Sequence, residues 1–498
     1  MAVTRAATCL ILLLTLLVAA PSRADPGPLD SALAPLRTLE AGARVGAVFA
    51  VDGREVAALH GDLLLNPASV TKLFTAAVAL RVLGTERTFP TTVSAVGDGP
   101  RVDALIVTPG GDPTLEAADL QALARCVRDK GVTSAGELIV EAGPFTDESD
   151  PPAYDRKGTL APYRAGVAAF VVDRGAVTVT VSSAAPGAAP RVALSSASDR
   201  VIVVNDAVTA GAVAGKRKAA KGRAGAPGPF VLSGEVDREG RLVLRLSGAF
   251  KSKQPILQSF RVPDPGAHAA GAFLLDLEAA GVKLGDGPGL GAAPGTARVL
   301  CTREGPTLAA LLLPMLKDSV NPYAEAVLRL VGSRDADGRP VGFAEGARAL
   351  SAFLKDPVGL SAGAFRFANG SGLYDANAVS ARGTVALLRW LLRAPKGGVV
   401  LDALPVAGVD GTLKKRLKGT PLAGRLRAKT GTLDDAVTLA GILPLAGGRV
   451  LQFAVLVNAP ECTSEASARG RCPALDRFAA RKATDETLLA LREALDGH

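Results

Sequence analysis

Apolar and polar positions divide the chain into stretches of different period. Near the N-terminus, Leu29 to Leu39 carries apolar residues at helical spacing. Arg44–Val51 and Glu55–His60 alternate, which predicts two strands joined by an Asp52-Gly53 hairpin turn. Asn66 then caps a predicted helix with Pro67 at its first position. That helix runs through Leu73, Phe74, Ala77, Leu80 and Val82 and stops at Gly84. From Phe89 to about Gly266 the pattern changes to short β-type runs broken by Gly, Pro and Ser. Ala104–Val107, Ala176–Ser182, Arg200–Val204 and Leu242–Leu246 are examples. Helical periodicity returns at Ala269–Ala280, Thr307–Leu316, Pro322–Leu330, Phe343–Phe353 and Ala381–Leu392. Three strands are predicted at Arg425–Lys429, Val437–Leu445 and Arg449–Val457, the last two turning across Gly447-Gly448. A mixed-charge helix spans Pro473 to Leu495. Helix-plus-strand segments at both ends, enclosing a β-rich middle, predict one α/β domain split in sequence with an inserted region between its halves.

A chain of 498 residues exceeds one ordinary domain, at about 100–200 residues each. Its 48% hydrophobic and 21% charged content supports a large core and excludes wholesale disorder. The net charge of +9 raises nucleic acid as a partner. The charge is local, however. Arg5 and Arg23, with Lys216, Arg217, Lys218, Lys221 and Arg223, account for all but +2 of it. One Trp and four Tyr offer few stacking platforms, so nucleic acid is not an expected partner. The basic stretch, flanked by Gly215, Gly222, Gly225 and Pro227, reads as a solvated surface loop; attraction to an anionic envelope polymer is the weaker reading. Residues 1–24 read as a secretory signal peptide: Arg5, an apolar run from Cys9 to Ala20, and small residues Ser22 and Ala24 before a cut ahead of Asp25. The run is shorter than the ~20 residues a membrane span needs. The expectation is a secreted, periplasmic protein with no integral membrane span after signal removal. In that compartment Cys462 and Cys472 could close a short loop, whereas for Cys126 and Cys301 a buried thiol competes with a bridge.

The candidate chemistry follows from what is scarce. His60, His268 and His498 are scattered and lack metal-ligand spacing, so neither a metal centre nor a histidine base is expected. Ser69-Val70-Thr71-Lys72 places a hydroxyl and an amine on one helix face. A lysine whose pKa falls by desolvation can take the serine proton. Ser319-Val320-Asn321 lies between two predicted helices: Ser319 can pass a proton to a leaving amine, and Asn321 can hold a substrate amide or simply cap the helix that starts at Pro322. Lys429-Thr430-Gly431-Thr432 ends a predicted strand. Gly431 would let a substrate backbone approach, while Lys429, Thr430 and Thr432 suit a terminal carboxylate. The N–H groups of Ser69 and Thr432 would form an oxyanion hole.

Ser-x-x-Lys, Ser-x-Asn and Lys-Thr-Gly in this order are the set shared by penicillin-binding proteins and serine β-lactamases. Longer stretches narrow the resemblance: Asn66 to Ala77, Met315 to Glu325, Leu404 to Leu413, Arg427 to Leu433, Gly110 to Leu115 and Gly370 to Leu373. With these the chain resembles the low-molecular-mass class C penicillin-binding proteins, the D-alanyl-D-alanine carboxypeptidase/endopeptidases of peptidase family S13. Three positions depart from that pattern: Val320 where Asp or Asn is frequent, Asn369 where Asp commonly precedes Gly-Ser-Gly, and Tyr374-Asp375 in place of Ser-Arg.

The resemblance implies an α/β (α+β) penicillin-binding, serine β-lactamase-like domain: an antiparallel sheet flanked by helices, with β-rich inserted domains. It implies a catalytic domain over 25–88 and 299–498, an inserted domain II over 89–165 and 256–298, and an inserted domain III over 166–255. Ser69, Lys72, Ser319, Asn321 and Lys429 would be catalytic, and Thr430, Gly431 and Thr432 substrate-binding. The implied partners are peptidoglycan stem peptides, with β-lactam antibiotics as inhibitors and no cofactor. A non-catalytic wall-binding protein and a secreted serine β-lactamase are the competing readings; oligomeric state is not legible.

Overall fold

The computed structural model describes residues 27–154, 158–210, 228–285, 288–291, 296–334, 336–461 and 474–496. The signal segment 1–24, the basic stretch around Lys216 to Arg223 and the loop holding Cys462 and Cys472 lie outside the described residues.

A five-stranded antiparallel sheet organises the two ends of the chain. Its order is Arg427–Thr432, Ala436–Pro444, Val450–Asn458, Arg44–Val51, Arg54–Leu59. The first long strand of the chain pairs with the last, Arg44 opposite Asn458 and Val51 opposite Leu451. Ala436–Pro444 and Val450–Asn458 are buried on both faces, which is why their sequences run apolar with little alternation. On one face pack Thr71–Leu83, Leu308–Lys317, Asn321–Ser333, Phe343–Lys355 and Ala381–Arg393. On the other lies the C-terminal helix Arg477–Asp496 with the N-terminal turns. Helices Asn321–Ser333 and Phe343–Lys355 cross so closely that a Cβ on Gly346 would stand 2.3 Å from the Leu328 carbonyl oxygen.

Three expected elements differ in local ways. Leu29–Leu39 is two short helices, Pro28–Ser31 and Ala34–Thr38, because Pro35 has no N–H to continue the ladder. The helix expected from Pro67 begins at Thr71. Ala68–Val70 instead forms a 3₁₀ turn, with Asn66 Oδ1 accepting from the Ala68 N–H at 2.9 Å. The strand expected to end at Lys429 continues to Thr432.

The middle of the chain holds two further sheet systems. One runs Lys283–Leu284, Ser134–Val140, Arg101–Thr108, Thr91–Val96, Arg298–Arg303, with Pro288–Leu290 also on Ser134–Val140. It packs against Pro265–Ala279 and against Ala117–Asp129, a helix absent from the sequence reading. The second system contains Ala176–Ser182 and Leu242–Ser247 around a core of Val177, Val179, Leu244 and Phe250. Strand Arg298–Arg303 hydrogen-bonds to Thr91–Val96, and Ile256–Arg261 to Ala176–Ser182. Domain edges at 298/299 and 255/256 would therefore separate these two strands from the sheets they close.

Cys126, on Ala117–Asp129, is bridged to Cys301 on Arg298–Arg303, 175 residues away. The competing buried-thiol reading is set aside. Closing so long a loop removes unfolded-state entropy. Cys126→Ser with Cys301→Ser is expected to lower unfolding free energy by about 2–5 kcal/mol. Denaturant titration measures this, and non-reducing peptide mapping should recover the cross-linked pair; maleimide labelling of either thiol in the native protein would contradict it.

Candidate active site

Ser69 sits in the 3₁₀ turn that feeds the helix Thr71–Leu83, whose residues Thr71 to Leu80 are all buried. A helix apolar on every side belongs in an interior, and this one takes Lys72 in with it, at 0% exposure. Ala68, just before the serine, has φ +46°, and Ser319 has φ +61°. Left-handed conformations at non-glycine residues cost about 1 kcal/mol or more and gather where geometry serves function.

Lys72 Nζ stands 3.0 Å from Ser69 Oγ, 2.7 Å from Asn321 Oδ1 and 2.9 Å from the Ser371 carbonyl oxygen. A neutral amine can donate to Asn321 and Ser371 and keep its lone pair for the Ser69 hydroxyl proton. Burial pushes the amine down to about 7, opposed by the charge of Glu325. Asn321 is the first residue of its helix, with Val320 in the capping position. Its oxygen accepts from Lys72 and its Nδ2 donates to the Tyr163 carbonyl oxygen at 3.0 Å. Its side chain thus contacts the lysine and does not cap the helix, while one Nδ2–H is left over on the wall of the groove that Asn321 lines.

Lys429 Nζ donates to Ser319 Oγ at 2.9 Å and to the Thr430 carbonyl oxygen at 2.8 Å. Burial, and after it repulsion from Lys72, holds this amine well below the ordinary lysine value. The glycine of the third motif has a different purpose from the one expected. A Cβ at Gly431 would lie 2.1 Å from Thr438 Oγ1, 2.9 Å from Ala68 Cβ and 2.9 Å from the Pro67 carbonyl oxygen. It would point into the protein, so the small residue lets the serine turn rest on the strand rather than admitting substrate.

Ser69, Ser319 and Thr432 line two grooves. One, of about 830 Å³, runs past Thr412, Lys415, Thr430, Phe478 and Arg481. The other, of about 630 Å³, runs past Tyr163, Asn321, Tyr374, Asp375 and Asp434. Neither described histidine lines them. His60 faces Glu40 at 2.6 Å, and buried His268 lies between Ser196 Oγ (3.0 Å) and Ser198 Oγ (2.7 Å). Burial lowers His268 to about 4.

Several site residues carried no assigned role in the sequence reading. Buried Glu325 accepts from the Gly370 and Ser371 N–H groups, each at 2.8 Å, and from Tyr154 Oη at 3.2 Å. Burial raises its carboxyl above the usual range, opposed by the Ser371 hydroxyl, by the Gly370 and Ser371 N–H groups and by Lys72. It holds the turn whose Ser371 carbonyl holds Lys72. Tyr154 and Tyr163 come from the inserted region, so the insertion supplies part of the site's wall. Asn369 also explains its own departure. Its Oδ1 accepts from the Gly372 N–H at 2.9 Å, while its Nδ2 donates to the Pro152 and Leu373 carbonyl oxygens, both at 3.2 Å. A carboxylate could not make the last two bonds. Among the described residues no cluster of His, Cys, Asp and Glu is arranged to hold a metal ion. Among them, too, no helix is long and apolar enough to cross a membrane.

A serine backed by a buried lysine, at the edge of an antiparallel sheet ending in Lys-Thr-Gly, defines a serine acyl-transfer enzyme of the penicillin-binding type. The family described as D-Ala-D-Ala carboxypeptidase 3 (S13) matches residues 29–482, and the chain belongs to it. It is 33% identical to a D-alanyl-D-alanine carboxypeptidase of Actinomadura sp. (strain R39), over 90% of this chain and 85% of the relative. It is 28% identical to a carboxypeptidase of Mycobacterium tuberculosis, over 87% of this chain and 78% of that one. The fold matches the crystal structure of penicillin binding protein 4 from Haemophilus influenzae with TM-score 0.74 at 22% identity, covering 93% of this chain and 98% of the other. The α/β fold with inserted domains and the serine carboxypeptidase class expected from sequence both stand.

Proposed function

We propose that this carboxypeptidase acts on peptidoglycan stem peptides ending in D-alanyl-D-alanine, and on the D,D cross-bridges between them, through an acyl-enzyme on Ser69. The observation that carries the reading is the Lys72 amine, buried, held by Asn321 and Ser371, and 3.0 Å from Ser69 Oγ. Ser69 Oγ bonds to the carbonyl carbon between the last two D-alanines as its proton passes to Lys72. The C–N bond then breaks, and the departing amine receives a proton through Ser319 and Lys429. Backbone N–H groups of Ser69 and Thr432 take the charge on the tetrahedral oxygen. Thr430 and Thr432 hold the terminal carboxylate. Water releases the acyl group with the Ser69 hydroxyl restored.

β-Lactams acylate the same serine. A structure of the Haemophilus influenzae protein complexed with a β-lactam, at TM-score 0.70, supports this use of the fold. Export to the periplasm is supported by residues 1–24 and by the Cys126–Cys301 bridge, since disulfides persist in oxidising compartments. The chain is read as a catalytic domain with two inserted domains, the strands Arg298–Arg303 and Ile256–Arg261 going with the sheets they pair with.

Incubation with benzylpenicillin followed by mass spectrometry should give a stable adduct on Ser69, absent in Ser69→Ala. Digestion of muropeptides should release D-alanine and cleave dimers. Saturable muropeptide binding with neither product would instead establish a wall-binding protein. Rapid penicillin turnover without D-alanine release would establish a β-lactamase.

A further inference from the structure

We propose that Arg481, on the C-terminal helix, is a specificity-determining residue that binds the substrate carboxylate on the leaving-group side of Ser69. The assignment rests on the acyl-transfer reading above and adds to it a residue outside all three motifs.

The larger groove is the leaving-group side, because it is lined by Thr412 and Thr430 and by Ser319, whose hydroxyl accepts from the buried Lys429 behind it. Four cations border it: Lys415, Arg416, Arg481 and Lys482. Arg416 is engaged by Asp485 at 2.8 Å, and Lys482 lies 3.8 Å from Glu486. Among the described residues neither Lys415 nor Arg481 has a carboxylate partner, and of the two Arg481 is the one that touches the third motif. Its Nη2 donates instead to Thr432 Oγ1 at 3.2 Å, which puts a guanidinium in direct contact with the third motif. Because Thr432 Oγ1 accepts from Arg481, its own proton is left to donate outward. A carboxylate entering here meets that hydroxyl and the remaining N–H groups of the guanidinium together. A planar guanidinium matches a carboxylate in two-pronged geometry and keeps its charge at every working pH. The two buried lysines of the site lack that permanence, since burial favours their neutral forms. The groove continues past Arg481 to Phe478, which is 78% exposed, so the carboxylate bound here can belong to a leaving group larger than one D-alanine.

The test uses the full mature chain and two probes: an N-acylated peptide ending in D-alanyl-D-alanine, and the same peptide with its terminal carboxylate amidated. Arg481→Gln is expected to lower kcat/KM for the free acid by about 10–100-fold, the size of one charge-assisted hydrogen bond. The loss should appear mainly in KM, leave the amidated peptide within about twofold, and be partly restored in Arg481→Lys. Equal losses on both peptides would mean that Arg481 only braces the helix against the strand, and would overturn the assignment. So would an unchanged preference for the free acid. If the wild type cleaves neither peptide and takes no penicillin label on Ser69, the underlying reading fails and this assignment with it. Penicillin labelling with undiminished free-acid preference in Arg481→Gln defeats the assignment alone.

Discussion

Replacing Lys72 by methionine is expected to slow acylation of Ser69 by about 10²–10⁴-fold, the range that a positioned general base supplies. The amine is buried and makes three contacts, so a thioether of similar length fills the space without supplying a lone pair. The same geometry sets the pH dependence. With its pKa pushed down to about 7, Lys72 is neutral above that value and protonated below it. Acylation should therefore rise about tenfold per pH unit below 7 and level off above it. Glu325→Gln should shift this profile. The carboxylate of Glu325 raises Lys72, and burial lowers it. Removing the charge leaves burial less opposed, so the rising limb should move to lower pH. Stopped-flow acylation by a chromogenic β-lactam across pH reads both effects. A limb that stays in place in Glu325→Gln, or a Lys72→Met protein acylated at the wild-type rate, would remove Lys72 from the role of base.

Gly431→Ala is expected to cost activity more than stability. The added methyl meets Thr438 Oγ1, which donates to the Pro67 carbonyl oxygen at 2.8 Å and cannot easily turn away. Relief must come from the serine turn moving off the strand. Overpacking of this kind costs about 1–3 kcal/mol, whereas moving a nucleophile by ~1 Å costs on the order of 100-fold in rate. Equilibrium unfolding together with penicillin acylation separates the two. A variant that acylates normally would show that the contact between turn and strand does not set the position of Ser69.

The Gly431 result shows where sequence reasoning reached its limit. The three motifs named Ser69, Lys72, Ser319, Asn321, Lys429, Thr430 and Thr432; short spacing on a helix or strand fixes neighbours within each motif, whereas the contacts that gather the motifs, Lys72 with Asn321 and Lys429 with Ser319, span long stretches of chain. Which way a glycine's missing side chain would point depends on Pro67 and Ala68, more than 350 residues earlier, and no local pattern contains that. The same holds for Glu325, Ser371 and Tyr154. Their roles come from burial and from partners on other elements. Arg481 sits on an ordinary mixed-charge helix and became visible only when that helix was laid beside Thr432. The helix Ala117–Asp129 was closer to legible. Leu120, Leu123, Ala124 and Val127 keep helical spacing, and the Glu116 N–H donates to Asp119 Oδ2 at 3.0 Å, but the surrounding β-type runs set the expectation for the whole region. The pairing that closes one inserted sheet, Thr91–Val96 with Arg298–Arg303, joins residues some two hundred positions apart, and periodicity says nothing of such partners.

The pairing of Arg44–Val51 with Val450–Asn458 has a consequence for how the molecule comes into being. A chain emerging from its N-terminus displays the nucleophile early, yet the strand that completes its sheet arrives about four hundred residues later. The inserted region lies wholly inside that interval and can fold while the outer halves wait for each other. Catalytic competence is then an all-or-none property of the finished polypeptide. A truncated or stalled product would carry folded insertions and a reactive-looking serine, with no lysine desolvated beside it.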